Sequence, residues 1–125
     1  SQIMMKTLKI VSFTLGLLSL NGLMASPLTV EKEVNHLLDY IEYSDCVFNR
    51  NGSEYNPEKA RSHIQRKYNY VKDKISTTEQ VIKYAATESS WTGKAYTIQC
   101  PNQVAVPSAD WLTDELMNYR RLSQQ

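Results

Sequence analysis

The sequence predicts an α+β fold, in which a small antiparallel sheet from two hairpins packs against about four helices. Two observations lead to this class. Apolar residues recur at helical spacing in four segments, and two short segments between them carry the turn residues of hairpins. The element order is helix, hairpin, helix, helix, hairpin, helix. Such an order suits two layers, with the helices on one face of the sheet.

The start of the chain has the pattern of a secretory signal peptide. Lys6 and Lys9 precede an apolar run over residues 10–20, and small residues follow. A retained membrane anchor is the alternative, but the run is shorter than the roughly 20 apolar residues of a spanning helix. We therefore predict a signal peptide over 1–25 and a single α+β domain over 26–125, exported to the periplasm or secreted.

The first helix is predicted over residues 28–44, with Thr29 as its cap. One apolar stripe defines it: Val30, Val34, Leu37, Leu38 and Ile41. The segment that follows, "FNRNGSEY", predicts a tight hairpin, because Asn51-Gly52 suits the positive φ angles of a type I′ turn.

Two helices are predicted next. Asn56 and Pro57 open a basic helix over residues 57–75. A further helix restarts at "STTEQVIKYAATE", where Ser76 and Glu79 suggest a capping box.

The last third of the chain returns to strand character. Residues 95–100 are predicted as a strand, and residues 103–106 as a short return strand after the Pro101-Asn102 turn. Pro107-Ser108 is expected to end this hairpin and to cap a final helix over 109–122.

Cys46 and Cys100 are predicted to form a disulfide, since an isolated pair in an oxidising compartment favours a bond. The bond would close a loop of about 55 residues, for which the chain-entropy model gives about 4 kcal/mol. Two alternatives remain open. The thiols could be unpaired and structural, or Cys46 could be a nucleophile with His63 as its base.

Three motifs in order carry a family resemblance. They are "LLDYIEYSDCVFNRNGSEYNPEKARSHIQRKY", "TTEQVIKYAATESSWTGKAYTI" and "VPSADWLTDELMNYRR". This pattern resembles a family of small exported bacterial proteins known as domain of unknown function 5329, and it covers almost all of residues 26–125. The resemblance implies no particular activity. It draws attention to Arg50, Ser90 and Lys94, polar residues on predicted loops, where function concentrates.

Composition and motifs favour binding over catalysis. The 125 residues are 42% hydrophobic and 22% charged, which is ordinary globular composition. No metal-ligand spacing, phosphate-cradling glycine loop or nucleophile elbow is present, so we predict no cofactor, no metal and no catalytic residue. An unrecognised hydrolase is the least favoured alternative.

The basic helix is the candidate binding surface. Residues 58–74 hold six Lys and Arg against two acids, whereas residues 26–125 hold 12 against 13. A one-sided basic strip attracts anions, and we expect an anionic lipid head group or polysaccharide. The candidate ligand-binding residues are Arg50, Lys59, His63, Arg66, Lys67, Ser90 and Lys94.

Three further expectations concern partners. A solvated helix face, balanced by acids of the first helix, is the plain structural alternative to the basic binding surface. Eight tyrosines leave open an interface with another exported or host protein. Nucleic acid is disfavoured by export and near-neutral charge, and a monomer is expected.

Overall fold

A computed structural model describes residues 26–89 and 92–124. The predicted signal peptide, residues 1–25, and the candidate site residue Ser90 lie outside the described residues. Four α-helices and a four-stranded antiparallel sheet confirm the α+β class.

The helices and strands alternate much as the sequence predicts. The α-helices are α1 (Pro27–Glu42), α2 (Pro57–Val71), α3 (Thr78–Ala86) and α4 (Ser108–Ser123), with a 3₁₀ turn at Lys72–Lys74. The strands are β1 (Val47–Arg50), β2 (Ser53–Tyr55), β3 (Thr97–Gln99) and β4 (Val106–Pro107).

The sheet joins the two hairpins through their first strands, in the order β2-β1-β3-β4. Phe48 of β1 lies opposite Ile98 of β3, and both are buried against the helices. Their neighbours Val47 and Gln99 also pair, and they face solvent, because side chains alternate across a strand. Cys46 and Cys100, just outside this strand pair, form the predicted disulfide.

The first hairpin turn follows from its two central residues. Arg50 pairs with Ser53, so only Asn51 and Gly52 connect β1 to β2. Their φ angles are 54° and 80°, the left-handed values that a type I′ turn requires. The Asn49 side chain accepts a hydrogen bond from the Gly52 amide, which closes the turn.

Two helix starts differ from the prediction. α1 is capped by Ser26, whose side chain accepts from the Thr29 amide, and Pro27 occupies its first turn. α3 is capped by Thr77 with Gln80 in a capping box, one residue after the predicted pair. In both places more than one hydroxyl residue offers a possible cap: Ser26 and Thr29 at α1, and the adjacent Ser76 and Thr77 at α3.

Three further boundaries are corrected. α2 ends at Val71, and the chain tightens into the 3₁₀ turn before residue 75. The return strand is Val106–Pro107, so residues 103–105 are not strand. Ser108 is the first residue of α4 and its hydroxyl makes no capping bond, whereas its amide donates to the Tyr96 carbonyl.

The core lies between the sheet and the helices and contains two contacting groups of apolar side chains. The larger group joins α1, α2, α3 and α4 to β1 and β3 through residues such as Ile41, Phe48, Ile98, Leu112 and Leu116. The smaller group, Val30, Val34, Leu38 and Val81, joins α1 to α3. Burial of these side chains is the main favourable contribution to folding.

A second set of contacts between the helices is ionic. Arg120 of α4 binds Glu33 of α1, with Nε to Oε2 at 2.7 Å, and Glu79 of α3, with Nη2 to Oε1 at 2.8 Å. Thr78 donates a further bond of 2.6 Å to Glu33, which is only 5% exposed. We refer to Glu33, Thr78, Glu79 and Arg120 as the Arg120 cluster. Its hydrogen bonds lower the pKa of both glutamates.

Candidate functional site

Beside the core, residues of β1, β2, α2 and α4, together with Tyr96, enclose a small cavity. Its volume is about 40 Å³, enough for roughly two or three water molecules. Phe48, Ala60, Ile64 and the rings of Tyr55 and Tyr96 supply mostly apolar walls. Asn49 of β1 also lines the cavity, and three further polar side chains complete it: Arg50 at the end of β1, His63 in the middle of α2, and Ser108 at the start of α4. We call this cavity, with its lining residues, the Arg50 pocket.

Each of those three polar side chains has a buried atom without a hydrogen bond. Arg50 Nε, His63 Nε2 and Ser108 Oγ are inaccessible to solvent, and no described residue bonds to them. Buried polar atoms in folded proteins are nearly always paired, and an unpaired one costs about 1–3 kcal/mol. In the described residues these are the three side-chain atoms of this kind, and all belong to residues that line one cavity.

A wider bowl adjoins the pocket on the solvent side. Arg50, Tyr55 and His63 line both spaces, so they stand at the junction. The bowl has a volume of about 360 Å³, and its outer wall is formed by side chains of α2: Glu58, Lys59, Ser62 and Arg66. The pocket therefore opens beside a basic surface.

The electrostatic environment of the pocket is positive. Burial, followed by the charges of Arg50, Lys67 and Arg66, lowers the pKa of His63 to about 4. The imidazole is therefore neutral at pH 7. Within the part of the chain that the structure describes, none of those three cations belongs to an ion pair. Their positive charge is available to an incoming anion.

Tyr96 organises two of these cations. Lys67 donates a hydrogen bond of 3.2 Å to the Tyr96 hydroxyl, and its Nζ lies 5.3 Å from the ring centroid. The Arg50 guanidinium lies 6.0 Å from the same centroid, and the His63 ring meets it edge-on. Cations near an aromatic face are stabilised by its quadrupole, so the buried Tyr96 ring holds both charges at the pocket.

Five of the seven candidate residues converge. Arg50 and His63 line the pocket and the bowl, Lys59 and Arg66 line the bowl, and Lys67 reaches the pocket through Tyr96. The Nε2 atom of His63 forms no hydrogen bond with any described residue.

Not every basic residue of α2 is available. Arg61 Nη1 contacts Asp39 Oδ1 at 2.8 Å and Glu42 Oε2 at 2.7 Å. Acidic residues of α1 thus neutralise Arg61, as expected if the basic face of α2 is only a solvated face balanced by α1. They do not pair with Lys59 or Arg66. The basic surface is narrower than the sequence suggests.

Lys94 is separated from the pocket lining. Its amide donates to Thr92 Oγ1, its carbonyl accepts from the Ser89 amide, and its side chain is exposed. The same loop is tied to the hairpin turn, because Asn51 Nδ2 donates to Ser89 Oγ and Thr92 Oγ1 donates to Asn51 Oδ1. These polar residues therefore hold the loop against the turn.

Sequence reasoning missed Ser108 and the role of Tyr96. Ser108 was interpreted as a helix cap, and only the packing of α4 on the sheet brings its hydroxyl to the Arg50 pocket. The disulfide removes Cys46 as a thiol nucleophile, so the pairing of Cys46 with His63 as a catalytic dyad is wrong.

Two searches of the described residues, 26–89 and 92–124, are negative. No group of three or more His, Cys, Asp or Glu side chains there is placed to hold a metal ion. No helix in these ranges is long and apolar enough to cross a membrane.

Comparison with known families decides the relationship that the three motifs suggested. A model described as "Family of unknown function (DUF5329)" matches residues 28–120. The chain belongs to this family. The matched span of the DUF5329 chain includes every residue of the Arg50 pocket and all four members of the Arg120 cluster.

The DUF5329 chain is also similar to a protein named "Uncharacterized protein YfeK" from Salmonella typhimurium (strain LT2). The two are 39% identical over 67 residues, which is 53% of this chain and 56% of that relative. The chain thus spans little more than half the length of this relative. No solved structure matches the DUF5329 chain.

Proposed function

We propose that this chain is an exported, periplasmic or secreted, binding protein without chemistry of its own, and that it takes the anionic group of a small ligand at the Arg50 pocket. The observation that carries the proposal is the set of three unpaired buried polar atoms around one cavity. The disulfide is compatible with an oxidising compartment.

The charges around the pocket support an anion in particular. Arg50, Arg66 and Lys67 are close enough to lower the pKa of His63, and they have no acidic partner among the described residues. A preorganised cluster of cations costs little to arrange at the moment of binding and attracts anions by electrostatic steering. A lipid head group and an acidic sugar both present a suitable anionic group.

The alternative of a protein-interaction module lacks a comparable observation. Its most exposed tyrosines, Tyr43 at 79% and Tyr70 at 76%, lie just after the end of α1 and near the end of α2. The two helices run antiparallel, because Arg61 meets Asp39 and Glu42 while Tyr68 packs on the smaller core group near the start of α1. The two tyrosines therefore lie at opposite ends of the helix pair.

Titration calorimetry at low salt tests the proposal. The probes are inorganic phosphate, galacturonate and propionate, with phosphatidylglycerol vesicles and polygalacturonate as larger anions. Arg66→Glu is expected to weaken binding of the active probe about tenfold, since it replaces a positive charge beside the pocket with a negative one. Lys83→Glu is the matched control, because Lys83 is exposed on α3 and lines neither the pocket nor the bowl.

The outcomes separate pocket binding from surface binding. Binding of a small probe that Arg66→Glu weakens and Lys83→Glu does not weaken supports the proposal. Binding of vesicles or polygalacturonate alone, weakened equally by both variants, would indicate attraction to the general surface and contradict it. Absence of binding by every probe would also contradict it.

A further inference from the structure

The size and polarity of the Arg50 pocket narrow the chemistry of its ligand, and this step rests on the proposed function. The cavity volume of about 40 Å³ admits only a few non-hydrogen atoms. Phe48, Ala60 and Ile64 cannot hydrogen-bond through their side chains, so much of the wall offers no partner to a ligand oxygen. A phosphate group would bury oxygens against this wall without partners, at a cost of several kcal/mol in general. A group with fewer oxygens and an apolar remainder fits better.

The unpaired atoms match a planar anion. Arg50 Nε and the neighbouring guanidinium nitrogen form two parallel N–H donors, the arrangement that carboxylates accept in a bidentate manner. Ser108 Oγ–H can donate to one of the same oxygens. His63 is neutral and can donate from Nε2 in the tautomer that carries the proton there. Together these are donors of the kind that the two oxygens of a carboxylate accept.

The position of the donors also orients the ligand. Arg50 and His63 stand at the junction between the pocket and the bowl. Ser108 lines only the pocket, as do the apolar residues Phe48, Ala60 and Ile64. A carboxylate at the junction directs its carbon chain into the apolar cavity. The cavity volume then limits the alkyl part of that chain to about two or three carbons.

We propose that the ligand is a short-chain monocarboxylate, whose carboxylate binds Arg50, His63 and Ser108 and whose alkyl group fills the cavity between β1 and α2. Two features of this geometry can be measured separately. The head group must be a carboxylate, and the chain must match the cavity.

The length series is the first test. Sodium acetate, propionate, butyrate, hexanoate and octanoate are titrated into the unmodified protein by calorimetry, with propionamide as the uncharged match of propionate. Each methylene that enters the cavity is expected to raise affinity about fourfold. Affinity is expected to peak at propionate or butyrate and to fall for hexanoate. Propionamide is expected to bind at least about tenfold more weakly than propionate.

The variants are the second test. Arg50→Lys keeps the charge but loses the planar pair of donors, and propionate affinity is expected to fall about tenfold. Ser108→Ala removes one donor and is expected to weaken propionate binding about fivefold. The melting temperature of Ser108→Ala should be unchanged or higher, because an unpaired buried hydroxyl is lost, so misfolding cannot explain the weaker binding. Lys83→Glu should bind propionate as the unmodified protein does.

Each failure has a distinct meaning. Tighter binding of inorganic phosphate than of every carboxylate, lost in Arg50→Lys, would overturn the carboxylate while leaving the proposed anion site intact. Affinity that keeps rising through octanoate would overturn the short chain. Absence of binding by phosphate and by all carboxylates would contradict both the inference and the proposed function.

Discussion

The Arg120 cluster and the Arg50 pocket each place an arginine among buried or half-buried polar side chains. The two arginines differ in how many hydrogen-bond partners they have. Arg120 makes four hydrogen bonds to Glu33 and Glu79. Arg50 has a buried Nε without a partner and two further cations nearby. The first arrangement stabilises the free protein by joining three helices. The second leaves free energy to be gained when a ligand supplies the missing partners.

This difference also separates structural charge from functional charge on the surface of α2. Arg61 is held by Asp39 and Glu42, so it belongs with the paired group. Arg66 lines the bowl beside Arg50 and has no acidic partner among the described residues. Two arginines five positions apart on one helix are therefore expected to have opposite effects on stability and binding.

The largest expected change in stability comes from breaking the Arg120 cluster. Arg120→Met should lower the free energy of unfolding by about 3 kcal/mol, because it leaves the buried Glu33 carboxylate without its partner. Urea unfolding measures the change. Arg121→Met is the control: the Arg121 side chain is exposed and donates a hydrogen bond to Asn118, so its loss should cost under about 0.5 kcal/mol. Equal effects of the two substitutions would show that the cluster is not a structural tie.

The Arg50 pocket and the Arg120 cluster should lose their contributions to stability in different ranges of acid pH. The pKa of His63 is about 4 in the folded protein and 6.5 in an unfolded chain, so the unfolded state binds its proton first. The corresponding stability is fully present above pH 6.5 and is lost as the pH falls toward 4. Allowing for partial exposure, the loss is about 2 kcal/mol. The pKa of Glu33 is lowered below 4.5, so its contribution is lost only at pH values below 4.5.

Unfolding measured in urea across this pH range tests that separation. His63→Gln should remove much of the decline between pH 6.5 and 4.5 and leave the steeper decline at lower pH. Glu33→Gln should alter the lower range instead. An unchanged slope between pH 6.5 and 4.5 in His63→Gln would mean that the imidazole is not held neutral by its surroundings.

Removing an unpaired polar atom from the pocket should stabilise the protein, whereas breaking the Arg120 cluster should destabilise it. Ser108→Ala should raise the free energy of unfolding by about 1 kcal/mol, since Ser108 is 2% exposed and its hydroxyl has no partner among the described residues. Denaturant unfolding measures the gain. Thr78→Ala is the matched control at the paired site, because it removes a hydroxyl bonded to Glu33 and should destabilise by a similar amount. Destabilisation in both variants would place Ser108 among the structural residues.

The smallest effect concerns the surface of α2. Arg61→Gln should lower stability by about 0.5 kcal/mol, the ordinary value of an exposed ion pair. Arg66→Gln should leave stability unchanged within error. Propionate affinity should respond in the reverse order, with a loss only in Arg66→Gln. Calorimetry and urea unfolding on the same two variants supply both comparisons.

The sequence could predict what depends on neighbouring residues. The Asn51-Gly52 turn, the stripe of α1 and the pairing of Cys46 with Cys100 all follow from local pattern or from a lone cysteine pair. The adjacency of β1 and β3 then followed from that disulfide. The observed helix caps differ from the predicted ones by one to three residues, because each start offers more than one hydroxyl residue within a single turn.

The site could be predicted only in part, for a physical reason. The residues of β1 and α2 are close in sequence, so Arg50, Lys59, His63 and Arg66 could be suspected together. Ser108 lies some 45 residues beyond His63 and reaches the pocket only because α4 packs against the sheet. The neutralisation of Arg61 likewise depends on the antiparallel packing of α1 and α2.

The most direct measurement of the central claim is an NMR titration of the two histidine side chains, His36 and His63, with propionate. His36 is bonded to Glu115, lines neither the pocket nor the bowl, and serves as an internal reference. The expected result is a saturable shift of the His63 ring signals, with a pKa near 4 that rises when propionate is bound, while the His36 signals do not move. Signals of His63 that stay unchanged at saturating propionate, phosphate and galacturonate would contradict the assignment of the Arg50 pocket as an anion-binding site.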